Sequence, residues 1–171
     1  MVLGVVEILV KYDFWASRQI LLRCRTLTSE QFGQRFAIGK GSLHDTTLHI
    51  VGSMQRWADR LAERPLRPSP ENPDYPLSPN GVLHLLDHVG PDLAQSIRRV
   101  LQDRAEDAVL DYQVAPDRHV RFSKASAIAH VLAHGTHHRS QCLNMLRQLG
   151  VNHPPMEIDP IDWYIAMHPD T

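Results

Sequence analysis

Six of the twelve prolines in this 171-residue chain fall between residues 65 and 79. Proline lacks a backbone N–H and clashes with the preceding turn, so no regular helix crosses that stretch. On both sides of it, apolar residues recur at helical spacing. Residues 3 to 27 repeat Val5, Leu9, Tyr12, Ala16, Ile20 and Leu27, and Thr28 and Ser29 then offer a break and a new cap. Glycines at 33, 39 and 41 mark a connection, after which Ser42 caps a second helix to about Glu63, with Leu43, Ile50, Met54, Trp57 and Leu61 on its stripe. A third helix is predicted over about 80 to 104, with Pro91 inside it as a source of a kink. A fourth covers about 124 to 149 and stops at Gly150. The predicted class is therefore all-α: a four-helix bundle with a long crossover between the second and third helices, in one domain spanning 1–171. Two short runs around Ala115 and Pro116 pair as a small hairpin, and the proline-rich tail is expected to pack on the bundle.

Composition excludes several classes. Charged residues make up 22% and hydrophobic ones 43%, as in a globular protein, and the formal net charge is −1. Nucleic-acid binding would call for a clustered basic excess, which is missing. No apolar run reaches the length of a membrane span, and the start of the chain is too short and too acidic for a secretory signal. The two cysteines, Cys24 and Cys142, lie in helical patterns on apolar faces. They read as buried thiols in a reducing compartment, which makes the cytoplasm the expected location.

Chemistry concentrates in HVLAHGTHHRSQC, residues 130 to 142, where four histidines fall within nine residues. Histidines at i and i+4 share a helix face and can chelate a metal. Chance alone gives about 0.7 such pairs in a chain with this many histidines. Three occur: His84/His88, His130/His134 and His134/His138. Facing separates them. His84 and His88 point opposite the stripe of the third helix and read as a solvated face. His134 and His138 lie within roughly 80° of the centre of the fourth helix's stripe. His130 sits on its flank and His137 points away. Two core histidines bonded to backbone or water would satisfy the same pattern. A metal needs a third ligand from another helix, and His44, His49, Asp45 and His119 all have suitable chemistry. Periodicity does not choose among them.

Two longer segments carry a family resemblance. SLHDTTLHIVGSMQRWADRL has a serine, a histidine seven residues later and a tryptophan eight beyond it: Ser42, His49 and Trp57. HVLAHGTHHRSQCLNMLRQLG is similar to HVVNHGTYHRGQ…LRQLG, and YDFWASRQIL near the start resembles YNxWAN…L. These are patterns of the DinB/YfiT-like family of metal-dependent proteins. The resemblance implies a four-helix bundle, often a homodimer, with a divalent metal held by His49, His134 and His138. Ser140 stands where the family usually has glycine, and His137 where it often has tyrosine.

Three imidazoles on a zinc or nickel ion leave a coordination position open, the pattern of a catalytic rather than a structural site. The resemblance then implies a metal-dependent enzyme, a thiol S-transferase or a hydrolase, acting on a small molecule such as a low-molecular-weight thiol. No HExxH motif is present, and Asp45 and Asp162 are candidates for a base by chemistry alone. The rival readings are a non-catalytic metal-binding protein with a stress-related role and a helical interaction module without metal.

Overall fold

A computed structural model describes residues 4–71, 78–151 and 158–169. Four long helices dominate it: α1 (Val5–Cys24), α3 (Leu43–Leu61), α4 (Pro79–Gln102) and α5 (Lys124–Gln148). Two short ones, α2 (Ser29–Gly33) and α6 (Pro160–Met167), flank the first and last of these. Strands β1 (Val109–Ala115) and β2 (Arg118–Ser123) form an antiparallel hairpin between α4 and α5.

Local chemistry explains the boundaries. Ser42, Ser78 and Ser123 cap α3, α4 and α5, each accepting from the backbone N–H three residues on, at Asp45, Gly81 and Ser126. Such caps contribute about 1 kcal/mol apiece by satisfying an otherwise unpaired donor. Thr28 and Gln31 make a reciprocal capping box on α2. Pro79 and Pro160 stand in the first turns of α4 and α6, where a missing N–H costs nothing. Gly150, with φ 72°, follows the last turn of α5 as expected. Pro91 is accommodated within α4.

The predicted stripes of α3 and α4 are the observed core, but that of α1 is so only in part: Tyr12, Ala16 and Ile20 are buried, whereas Val5 and Leu9, in the first turns of the helix, are exposed. Ile50, Met54, Trp57 and Leu61 of α3 are buried, as are Val82, Leu86, Val89, Leu93, Ile97 and Val100 of α4. α3 packs against α4 and α5, and α1 packs against the same two helices. Cys24 and Cys142 are buried and unpaired. Burial pushes the Cys24 thiol up to about 12, which makes it inert at neutral pH. In the tail, Trp163 of α6 packs on Tyr12 and Ala16 of α1, and the Tyr12 hydroxyl donates to the Ile158 carbonyl at 2.9 Å. No described helix is long and apolar enough to cross a membrane.

The crossover joins α3 to α4, and residues 72–77 of it lie outside the described residues. Its first part is largely exposed, as the prolines suggested, but it is tied down at two points. The fully buried Asp59 carboxylate accepts from the Arg67 backbone N–H at 3.0 Å and from the Arg64 guanidinium at 2.6 Å. Both arginines also reach Asp92 on α4. Further along, Pro70 is buried and Glu71 lies against α3 at Gly52, where a Cβ would come within 3.2 Å of both. The crossover thus folds back over α3, close to His49.

Candidate metal centre

His49 of α3 and His134 and His138 of α5 converge. One nitrogen from each lies within 4.8 Å of the other two. His49 Nε2 and His134 Nε2 are 3.0 Å apart. The His49 ring centroid is 4.8 Å from that of His134 and 4.7 Å from that of His138. All three side chains are half-buried, at the edge of the core rather than inside it.

The distal nitrogens are held. His49 Nδ1 donates to the Glu71 carboxylate at 2.8 Å, which leaves its Nε2 with a lone pair turned toward His134. His138 Nδ1 donates to Gln141 Oε1 at 2.8 Å, and Gln141 Nε2 in turn donates to His137 Nε2 at 2.8 Å. A carboxylate or amide oxygen on the far nitrogen of an imidazole is the usual device for fixing the tautomer and aim of a metal ligand. Two nitrogens each 2.0–2.1 Å from one zinc at a tetrahedral angle stand about 3.3 Å apart. The 3.0 Å separation of His49 and His134 is close to that, and the third nitrogen lies within 4.8 Å of both, so the chemistry of the donor set suits a divalent cation.

Electrostatics keep His134 and His138 neutral, as a ligand must be. Burial, followed by the neighbouring His138, His49 and His130 and then Arg56, lowers His134 to about 3. His138 is lowered by burial and by His49, His137 and Lys40, against the opposing hydrogen bond to Gln141. Burial alone would raise the Glu71 carboxyl, but His49 and Arg56 together outweigh it and hold it below the ordinary range.

Other candidates lie elsewhere. His44 is buried, with Nδ1 at 2.9 Å from the Asp45 carboxylate, its ring against Phe32, and its Nε2 unpartnered among the described residues. Asp45 is engaged by Arg35 at 2.6 Å, and His119 pairs with Asp111 on the hairpin at 2.7 Å. His84 and His88 are exposed on α4, and His137 is exposed on α5. His130 is exposed and stacks edge-on against Trp57. Among the described residues no fourth histidine, cysteine or carboxylate joins the three, so Asp45, His119 and Asp162 stand outside the group.

Two residues of this centre escaped the sequence. Glu71 is 22 residues from the histidine it holds, in a segment without periodicity. Gln141 left a fainter signal, since it lies one turn beyond His138 on the same helix. The same stretch of α5 also contains a structural pair that was not foreseen. Arg139 is buried and reaches the Asp13 carboxylate and the Ser17 hydroxyl on α1, while its other amino group donates to Thr136. Gly135 permits this approach, because a Cβ there would overlap Asp13 and Arg139.

Fold and centre together define a class: a mostly helical protein with three imidazoles gathered between two of its helices. The DinB family matches residues 5–165, and the chain belongs to that family. The crystal structure of a DinB-like protein from Bacillus cereus ATCC 10987 resembles this one with a TM-score of 0.66, covering 84% of this chain and 90% of that one at 19% identity. At that identity the likeness concerns the fold. No curated protein matches the sequence.

Proposed function

We propose that this protein is a metal-dependent enzyme. In this reading His49, His134 and His138 hold a zinc or nickel ion on a four-helix-bundle scaffold, and a small molecule is transferred to a thiol or hydrolysed there. The observation that supports it best is the convergence of three imidazoles, two of which, His49 and His138, have their far nitrogens already engaged by Glu71 and Gln141. A purely structural histidine cluster has no need for that orientation. The lack of a fourth protein ligand among the described residues leaves room for an exchangeable one.

When bound, such an ion would bring the pKa of a coordinated water or thiol toward neutrality and so supply a nucleophile. The chain's own contribution is positional and electrostatic. Three uncharged ligands leave the cation's charge uncompensated. Arg56 and Lys40 add positive potential, visible in the lowered pKa of His134 and His138. Both effects favour an anionic nucleophile. Glu71, committed to His49 and Arg56, is a positioning residue in this scheme rather than a proton carrier.

Metal analysis of untagged protein tests the assignment. The wild type should hold about one equivalent of zinc or nickel, while His49→Ala and His138→Ala should each lose it. His44→Ala should retain it, because His44 faces away from the cluster. Retention by His49→Ala with loss by His44→Ala would overturn the ligand set. Metal-loaded wild type should then turn over electrophilic substrates with thiol or water as acceptor, and the His138→Ala variant should not.

A further inference from the structure

Beside the histidine cluster lies a groove of about 370 Å³, bounded by α3, the start of α5 and one face of the hairpin. That size suits a small molecule. Trp57, Tyr112, Val120 and Phe122 line it, with His130 on one side and the exposed Arg118 at the rim. Strand alternation gathers these walls. Phe122 pairs with Leu110 and Val120 with Tyr112, so the aromatic and branched side chains share one face. The other face carries Asp111, which pairs with His119 and Arg121 and thus stays out of the groove.

The charge of the groove is one-sided. Arg60 lies over the Tyr112 ring at 3.9 Å and over Trp57 at 5.1 Å, adding a guanidinium against two of the aromatic rings that line the groove. Arg118 has no carboxylate partner among the described residues, and no carboxylate lines the groove. The groove also adjoins the cluster. The His130 ring is 5.3 Å from Trp57 and 5.6 Å from His134, centroid to centroid, so a single imidazole stands between the two features.

We infer that this groove binds the acceptor or donor molecule of the proposed reaction: a small, flat, apolar compound bearing one anionic group. Its body lies against Trp57, Tyr112 and Phe122, its anionic group meets Arg118, and its reactive end points past His130 toward the cluster. The purpose of the site rests on the proposed metal-dependent reaction. The binding itself does not.

Anilinonaphthalene sulfonate has this chemistry and serves as the probe. Titrated into the full-length, metal-loaded protein, it should light up at one saturable site. Val120→Trp, which fills the groove, should weaken binding about tenfold or more, equivalent to a single well-packed contact. Arg118→Ala should weaken this anion by about threefold to tenfold and leave uncharged phenylnaphthylamine unaffected. Ala94→Trp, in the apolar cleft between α1 and α4, should change nothing. Circular dichroism identifies any variant that does not fold. If Val120→Trp fails to fold, Tyr112→Ala takes its place with about a fivefold loss expected. Failure of the wild type to bind, no effect of the groove variants, or an equal loss in Ala94→Trp would each overturn the proposal. Dye affinity in His138→Ala should match that of the wild type, whereas its metal content reports separately on the three-histidine reading.

Discussion

Helix α5 presents polar groups on two faces within less than two turns, and the two faces end differently. Toward α1, Arg139 is buried and its donors are matched by Asp13, Ser17 and Thr136, with the Tyr12 ring 5.4 Å from its guanidinium carbon. Toward α3, His134 and His138 meet His49, and the chain supplies partners for the outer nitrogens of His49 and His138 but aims the inner ones at one another. Burial is costly for both sets. On the Arg139 side the chain itself meets that cost with partners. On the histidine side it brings three ring nitrogens within 4.8 Å of one another, a grouping that could hold a metal ion.

The sharpest way to break that contrast is to remove one partner from the satisfied side. Arg139→Leu leaves Asp13 buried without a counter-charge and should cost about 3–5 kcal/mol in urea denaturation. A change under about 1 kcal/mol would mean that the pair is not structural in the sense described. On the histidine side, Glu71→Gln keeps the shape but removes the charge that orients His49. Metal affinity should fall about 10- to 100-fold with little change in the stability of the metal-free protein, measured by competition with a chelator. An unchanged affinity would sever the crossover from the site. Titration offers a subtler test. His134 takes up its proton only near pH 3 in the folded protein, against 6.5 when unperturbed. Between those values the unfolded chain binds more protons, so stability is fully present above about pH 6.5 and falls as the pH drops toward 3. The Tm of metal-free protein should therefore decline from pH 7.5 to pH 5, and His134→Asn should flatten part of that slope. The smallest effect belongs to the exposed pair. His84→Ala with His88→Ala should leave metal content and Tm unchanged, since both side chains are in solvent.

How much of this could be read from the residues follows the same division. The stripes of α3 and α4 were legible because a fully buried face imposes a 3.6-residue repeat, and every stripe position of α4 is buried. The hairpin announced itself by alternation around Pro116. His134 and His138 were legible as an inward i, i+4 pair. His49 was not, because the cluster sits at the edge of the core and its α3 member lies off the stripe. Family likeness pointed to it where geometry could not. Glu71 and the Asp13–Arg139 pair were hidden for one reason: each joins residues far apart in the chain, and nothing local marks the partner.

The division of the three nitrogens between helices has a thermodynamic consequence. His134 and His138 are set one turn apart by α5 alone, but His49 arrives only when α3 has docked. A ligand that needs all three recognises the folded chain and ignores the unfolded one. Occupancy of the centre and resistance to unfolding are then linked quantities. At a free ligand concentration 100 times the dissociation constant, the folded state gains about 2.7 kcal/mol. For a protein built this way, loss of such a ligand would be felt as a shortened lifetime of the chain as well as an empty centre.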